Sequence, residues 1–129
     1  MNIATHQAIE SSLCGTPLEL GPDFSRVELV TAQCMAADDS GLVHGGFVFS
    51  LADYAAMIAV NHPNTVLGSA DVRFVKPVRV GERLCAEARV EQRIEKKILV
   101  RVSVRRDDDE VFSGLFTCFA PQKHVLSGC

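Results

Sequence analysis

Apolar positions along this chain change their period once. From residue 45 to residue 60 they are nearly continuous (Gly-Gly-Phe-Val-Phe-Ser-Leu-Ala-Asp-Tyr-Ala-Ala-Met-Ile-Ala-Val), and beyond residue 66 they alternate with polar ones in steps of two. A long, alanine-rich run that is apolar on every side predicts a helix buried on all faces. It should stop near Asn61, because Pro63 disfavours helix at His62. Four strands are expected downstream, at residues 66–76 (closed by Pro77), 83–94, 98–105 and 110–120, with the chain turning at 106–109. Within 83–94, Leu84, Ala86, Ala88 and Val90 share one face and Glu87, Arg89 and Glu91 the other, the pattern of a sheet covered on one side.

Upstream, residues 4–13 suit a short helix, and residues 15–23, with two Pro and two Gly, break it. Residues 27–35 are apolar and β-branched enough for a first strand, and 36–41 form a turn-rich link into the buried helix. Residues 121–129 read as a loose tail. One helix can be surrounded by several strands only if the sheet curls around it. The expectation is therefore an α+β fold in which a strongly curved antiparallel sheet of five to six strands wraps a central helix. With 129 residues the chain suits a single domain, its core at about 27–120.

Composition narrows the function. The formal net charge is −3, without a basic tail or a basic stripe interleaved with aromatics, which argues against nucleic-acid binding. The amino-terminal residues lack the charged and apolar regions of a signal peptide, and the 45–60 run is too short to span a bilayer, so a cytoplasmic protein without membrane contact is expected. Five scattered cysteines (Cys14, Cys34, Cys85, Cys118, Cys129) without a Cys-x-x-Cys pair suit free thiols in a reducing compartment, with Cys34, Cys85 and Cys118 expected in strands. Four histidines (His6, His44, His62, His124) lack metal-ligand spacing, so no metal site is expected.

Asp53 is the one charged side chain in the apolar run, and no Lys or Arg lies at helical spacing from it. A carboxylate in such surroundings needs a partner or takes up a proton, so the partner must come from another segment, another chain, water or a substrate. At the start of the same helix, Gly45 and Gly46 leave backbone N–H groups unshielded where the helix dipole favours anions and oxyanions. Gly46, Ser50 and Asp53 share a helical face, yet Gly46 and Asp53 are about 10 Å apart along the axis. No single carbonyl reaches both. Two copies with antiparallel helices bring the glycine end of one beside the Asp53 of the other, which predicts a dimer with two equivalent sites.

His44-Gly45-Gly46-x-x-Phe49-Ser50-Leu51-Ala52-Asp53, followed by Phe74-x-Lys76-Pro77 and Gly81-Glu82, resembles the hot-dog-fold acyl-CoA thioesterases of the phenylacetyl-CoA thioesterase (PaaI) branch. The resemblance implies a six-stranded sheet around a central helix, dimers that often pair into tetramers, and hydrolysis of small to medium acyl-CoA thioesters, aryl acyl groups among them, without metal or cofactor, coenzyme A being part of the substrate. It implies Asp53 as general base or nucleophile and the Gly45 or Gly46 N–H as oxyanion donor. Asp38 stands where relatives often carry Asn or Gln; a second carboxylate there would raise the pKa of Asp53 unless it points away. Gly68 or Ser69 loosely matches a polar residue contributed by the strand after the helix. His44, leading into the helix, serves either in catalysis or in orienting the turn. Arg73, Lys76, Arg79, Arg83, Arg89, Lys96 and Lys97 are candidates for the coenzyme A phosphates. Acyl-pocket depth is expected to depend on Phe47, Phe49, Tyr54 and Met57. Two other readings stay open: a hydroxyacyl-thioester dehydratase using His44 or His62 with Asp53, and a non-catalytic acyl-CoA-binding module.

Overall fold

A computed structural model describes residues 1–127. The apolar run forms one helix, α2 (Gly45–Val60). It ends at Asn61, whose left-handed backbone lets its N–H bond the Met57 carbonyl. The Asn61 side chain then clamps the amino-terminal segment through the Ala4 N–H and the Asn2 carbonyl, both at 2.8 Å. Leu51, Ala52, Ala55, Ala56, Met57 and Ile58 are wholly buried, and the alanines let strands approach the helix closely.

Six strands, β1 (Thr16–Gly21), β2 (Phe24–Val30), β3 (Val66–Phe74), β4 (Arg83–Ile94), β5 (Lys97–Arg106) and β6 (Asp109–Phe119), form one antiparallel sheet in the order β1-β2-β4-β5-β6-β3. All six strands contact α2, so the sheet is curled around it as the pattern of burial requires. Alternation places Leu84, Ala86 and Ala88 of β4, Val100, Val102 and Val104 of β5, and Phe112 and Phe116 of β6 against the helix. The Ser25 hydroxyl of β2 donates to the Ala55 carbonyl at 2.6 Å, a buried tie between sheet and helix. Charged residues on the outer face are joined by ion pairs such as Arg26 with Glu19 and Glu87.

The amino-terminal third differs from its sequence pattern. Helix is confined to α1 (Ser11–Cys14), because His6 takes a left-handed φ of 53° and Glu10 starts the helix by accepting from the Ser12 N–H. Residues 16–21, expected to be a breaker, form β1; Pro17 is tolerated because β1 is an edge strand with a bulge between Pro17 and Glu19. The first expected strand, 27–35, is shifted: β2 ends at Val30 and a 3-10 turn, Gln33–Met35, follows. Cys34 is therefore exposed on that turn rather than in a strand. In the tail, the Asn64 amide donates to the carbonyls of Pro121 and Gln122, both at 3.0 Å, so the start of this segment is held rather than loose. Gly128 and Cys129 lie outside the described residues.

Gly114 of β6 pairs with Val72 of β3, and a Cβ at Gly114 would lie 2.6 Å from Val72 Cγ1 and 2.9 Å from the Asp71 carbonyl oxygen. Gly114→Ala should therefore strain the β3–β6 seam and cost about 1–3 kcal/mol. The expected result is a lower urea midpoint with an unchanged slope in equilibrium unfolding.

Candidate active site

Asp53 sits in the middle of α2, half-buried, with Oδ1 fully enclosed and without a hydrogen-bond partner. Thr65 is the other described residue with such an atom. Among the described residues no cation pairs with the carboxylate, and desolvation pushes its pKa from the ordinary 3.8 up to about 6. Cys118, on the buried face of β6, lies within electrostatic reach. Burial first, and then the charge of Asp53, push that thiol up to about 12. At neutral pH it stays protonated, which disfavours it as a nucleophile.

The start of α2 is bare. His44 occupies the cap position with an extended backbone and makes no side-chain capping bond. Among the described residues, no acceptor meets the N–H of Gly45 or Gly46. The exposed imidazole of His44 folds back over the first turn, and a Cβ at Gly46 would stand 3.0 Å from its Nε2. A side chain at Gly46 would push that exposed ring aside by a few tenths of an ångström. Gly45 is covered in a similar way by Phe74, whose Cε1 would lie 3.0 Å from a Cβ at that position. His44 and Asp53 are nine residues, or about 13 Å, apart along the helix, so they form no dyad within one chain.

The other candidates are dispersed. Ser50 Oγ lies 3.1 Å from Cys14 Sγ and so engages α1. Asp38 is exposed and accepts from the N–H and the hydroxyl of Ser40 at 2.9 and 2.5 Å, bonds that hold its pKa below the usual carboxylate value. Its charge is thus fastened within its own turn. Gly68 and Ser69 lie exposed on β3, Gly68 at a bulge where the Phe119 ring leaves no room for a side chain. Of the candidate cations, Lys76 pairs with Asp109 at 3.0 Å, Arg83 pairs with Glu28 at 3.0 Å, and Arg89 lies over the Phe24 ring. Arg73, Arg79, Lys96 and Lys97 have no ion pair among the described residues.

Within the single chain Tyr54 and Met57, at 7% and 0% exposure, belong to the core, and Phe49 stacks on Phe116 at 5.4 Å between ring centres. Sequence reading missed Cys118 within electrostatic reach of Asp53 and Cys14 beside Ser50. Both pairs join residues far apart in the chain, and neither carries a local signal. Among the described residues no three His, Cys, Asp or Glu side chains gather to hold a metal ion, and no helix is long and apolar enough to cross a membrane.

One long helix wrapped by a six-stranded antiparallel sheet is the hot-dog fold. Residues 40–113 match the family model of the thioesterase superfamily, and the chain belongs to that family. It is 49% identical over 120 residues to a methylthioribose-1-phosphate isomerase of Aquifex aeolicus, covering 92% of this chain and 26% of that protein. It is 32% identical over 85 residues to the transcription factor FapR of Caldanaerobacter subterraneus, covering 66% of this chain and 42% of that protein. The chain thus spans well under half the length of these two curated relatives. Among solved structures, protein PH1136 of Pyrococcus horikoshii superposes with a TM-score of 0.95 at 47% identity, covering 98% of this chain and 97% of that one. A mutant of the phenylacetic acid degradation protein PaaI of Thermus thermophilus superposes with a TM-score of 0.79 at 27% identity, covering 86% and 96%.

The raised pKa of Asp53 gives a signed prediction. Between about pH 4 and 6 the folded protein binds more protons at Asp53 than the unfolded chain does, so stability falls as pH rises through that window, by roughly 3 kcal/mol, and stays lower above it. Asp53→Asn should therefore unfold at higher denaturant than the wild type at pH 7.5, and the difference should close near pH 4. A variant less stable than the wild type at pH 7.5 would mark Asp53 as a structural residue instead.

Proposed function

We propose that the protein hydrolyses acyl-CoA thioesters, with Asp53 as general base and the Gly45 or Gly46 N–H as oxyanion donor. The observation that carries this reading is the enclosed, unpartnered Asp53 Oδ1 on a helix whose first amides are also without acceptors. A buried carboxylate and free helix-start amides each cost stability, and one reaction uses both. Asp53 takes a proton from water as the oxygen attacks the thioester carbonyl, and the amide stabilises the oxyanion. The intermediate then collapses to the carboxylic acid, and the departing thiolate receives the proton from Asp53. A group with a pKa near 6 is close to the best match for such a base at neutral pH. The base is asked for about 10² to 10⁴ in rate and each amide for about 10² to 10³.

Because about 10 Å of helix separates the two groups, each site takes its carboxylate and its amide from different copies. β3 supports a dimer: it ends the sheet, and its residues Gly68, Ser69, Ala70 and Asp71 are exposed along an edge left unpaired in the single chain. Nothing in this chemistry calls for a metal or cofactor. A dehydratase is less well supported, since His44 folds onto its own helix start and His62 Nδ1 accepts the Asn64 N–H at the far end. A non-catalytic acyl-CoA-binding role is favoured by one observation, the similarity to the region shared with a transcription factor.

Thiol release from a panel of acyl-CoAs, with Asp53→Asn alongside, tests the proposal. The expected result is turnover by a wild-type dimer in light scattering and a loss of at least about a hundredfold in kcat/KM for the variant with its fold intact. Undiminished turnover would remove Asp53 from the mechanism, and tight binding without turnover would establish the binding role.

A further inference from the structure

The two edges of the sheet are built differently. β1 carries Pro17 and a bulge, which blunt an edge against further pairing. β3 has neither Pro nor Lys from Val66 to Phe74, and from Ser69 onward it pairs with β6 without a bulge. At its end the Val75 N–H donates to the Val111 carbonyl at 2.8 Å and so faces β6. Stepping back by twos, the backbone groups of Arg73, Asp71 and Ser69 face β6 as well, and those of Phe74, Val72 and Ala70 turn to the open edge. The Phe74 ring against Gly45 marks the helix face of the strand, so the side chains of Asp71 and Arg73 stand on the outer face.

Both charged residues are exposed, and neither has an ion pair among the described residues. Asp71 is within electrostatic reach of Arg101, but that guanidinium is engaged by Glu91 at 3.0 Å. Charges on an edge ordinarily discourage pairing. Two of opposite sign, two residues apart, favour one self-pairing over its neighbours. We infer that β3 pairs antiparallel with the β3 of a second copy, centred on Val72, and that Asp71 and Arg73 select this register. A two-fold axis pairs edge-facing residues only with edge-facing residues, so one residue must meet its own copy. With Val72 at the centre, Asp71 stands opposite the partner's Arg73, and Arg73 opposite the partner's Asp71. These are non-hydrogen-bonded pairs, where facing side chains come closest. Centred on Asp71 or on Arg73, like charges would meet. Centred on Ala70 or on Phe74, each charge would face an uncharged residue.

The same register orders the two sites. Phe74, 56% exposed in the single chain, falls opposite the partner's Ala70, which is small enough to leave the ring room. Because that ring lies against Gly45, the bare start of α2 comes within one side chain of the interface. Asp53 is within electrostatic reach of Cys118, which pairs with Leu67 near the beginning of β3. Antiparallel pairing carries the partner's Phe74, and the glycine start behind it, back toward that beginning. The carboxylate of one copy and the amides of the other thus meet in the same half of the interface. The pairing stands on the strand and its charges, and its use by the site rests on the hydrolase reading.

Sedimentation velocity over a dilution series, with native mass spectrometry to identify each species, follows assembly in the wild type, Asp71→Arg, Arg73→Asp, the double exchange and an equimolar mixture of the two single variants. Thiol release from the acyl-CoA panel, with Asp53→Asn alongside, is recorded in parallel. Each single variant sets like charges opposite each other and should raise the dimer dissociation constant by at least about tenfold. Mixing the two should give a one-to-one heterodimer, and the double exchange should pair with itself as the wild type does. Recovery in both cases excludes misfolding as the cause of the loss. Single variants that dimerise as tightly as the wild type, or a loss that neither mixing nor the double exchange repairs, would overturn the register, and a monomeric wild type would overturn the pairing itself. If assembly follows the charges but no thioester is turned over, the register stands and the hydrolase reading falls. If Asp53→Asn abolishes turnover while assembly ignores the charges, the hydrolase reading stands and the register falls.

Discussion

Everything in this structure depends on burying one long apolar helix, which the sheet covers except along the side that carries Gly46, Ser50 and Asp53. A helix with an apolar stripe can rest on a flat sheet, but α2 has no polar face to leave in water, and nine of its residues lie in the core. The sheet must curl until every strand touches the helix, which fixes the strand order and leaves β1 and β3 as its two edges. The tie from Ser25 to the Ala55 carbonyl and the alanines along the helix are local adjustments to that constraint: close approach needs small side chains, and a buried hydroxyl needs an acceptor.

The same constraint gives the site its chemistry. A carboxylate carried by such a helix is desolvated by the fold itself, and the absence of a facing cation leaves it with a pKa near neutrality. The bare amides at Gly45 and Gly46 follow from a second fact: a helix start has no intrahelical acceptor for its first N–H groups, and His44 at the cap position makes no side-chain capping bond. Two costs to stability, an unpaired carboxylate and an uncapped helix, are thereby concentrated on one element. Thioesterase-superfamily membership agrees with that concentration, while the transcription-factor relative shows that the same kind of domain occurs within a protein of another name.

Comparison of pattern with structure shows where local signals suffice. The four strands after the helix were legible because alternation in steps of two survives wherever one face is buried, and β4 keeps the expected bounds, 83–94. β1 was not legible: with Pro17 and a bulge it carries no alternation, and it exists because β2 offers a free edge to pair with. Residues 27–35 carry apolar side chains for two different reasons, the first four as strand and Met35 as a plug beneath a 3-10 turn, and periodicity alone does not separate the two. Tyr54 and Met57 likewise share the apolar character of a pocket lining but are taken up by the core.

By itself, the sequence determined that a buried helix would carry a lone carboxylate behind a glycine start, because charge and period are properties of consecutive residues. It also determined, through the rise of a helix, that Gly46 and Asp53 could not serve one carbonyl from the same chain. The tertiary structure alone decided that Asp38 is fastened to Ser40, that Ser50 faces Cys14, that Cys118 comes within electrostatic reach of Asp53, and that the Phe74 ring lies against Gly45. Except for the Asp38 turn, these are meetings of residues distant in the chain. They are set by the register of strands and the curl of the sheet, which no local pattern of residues encodes.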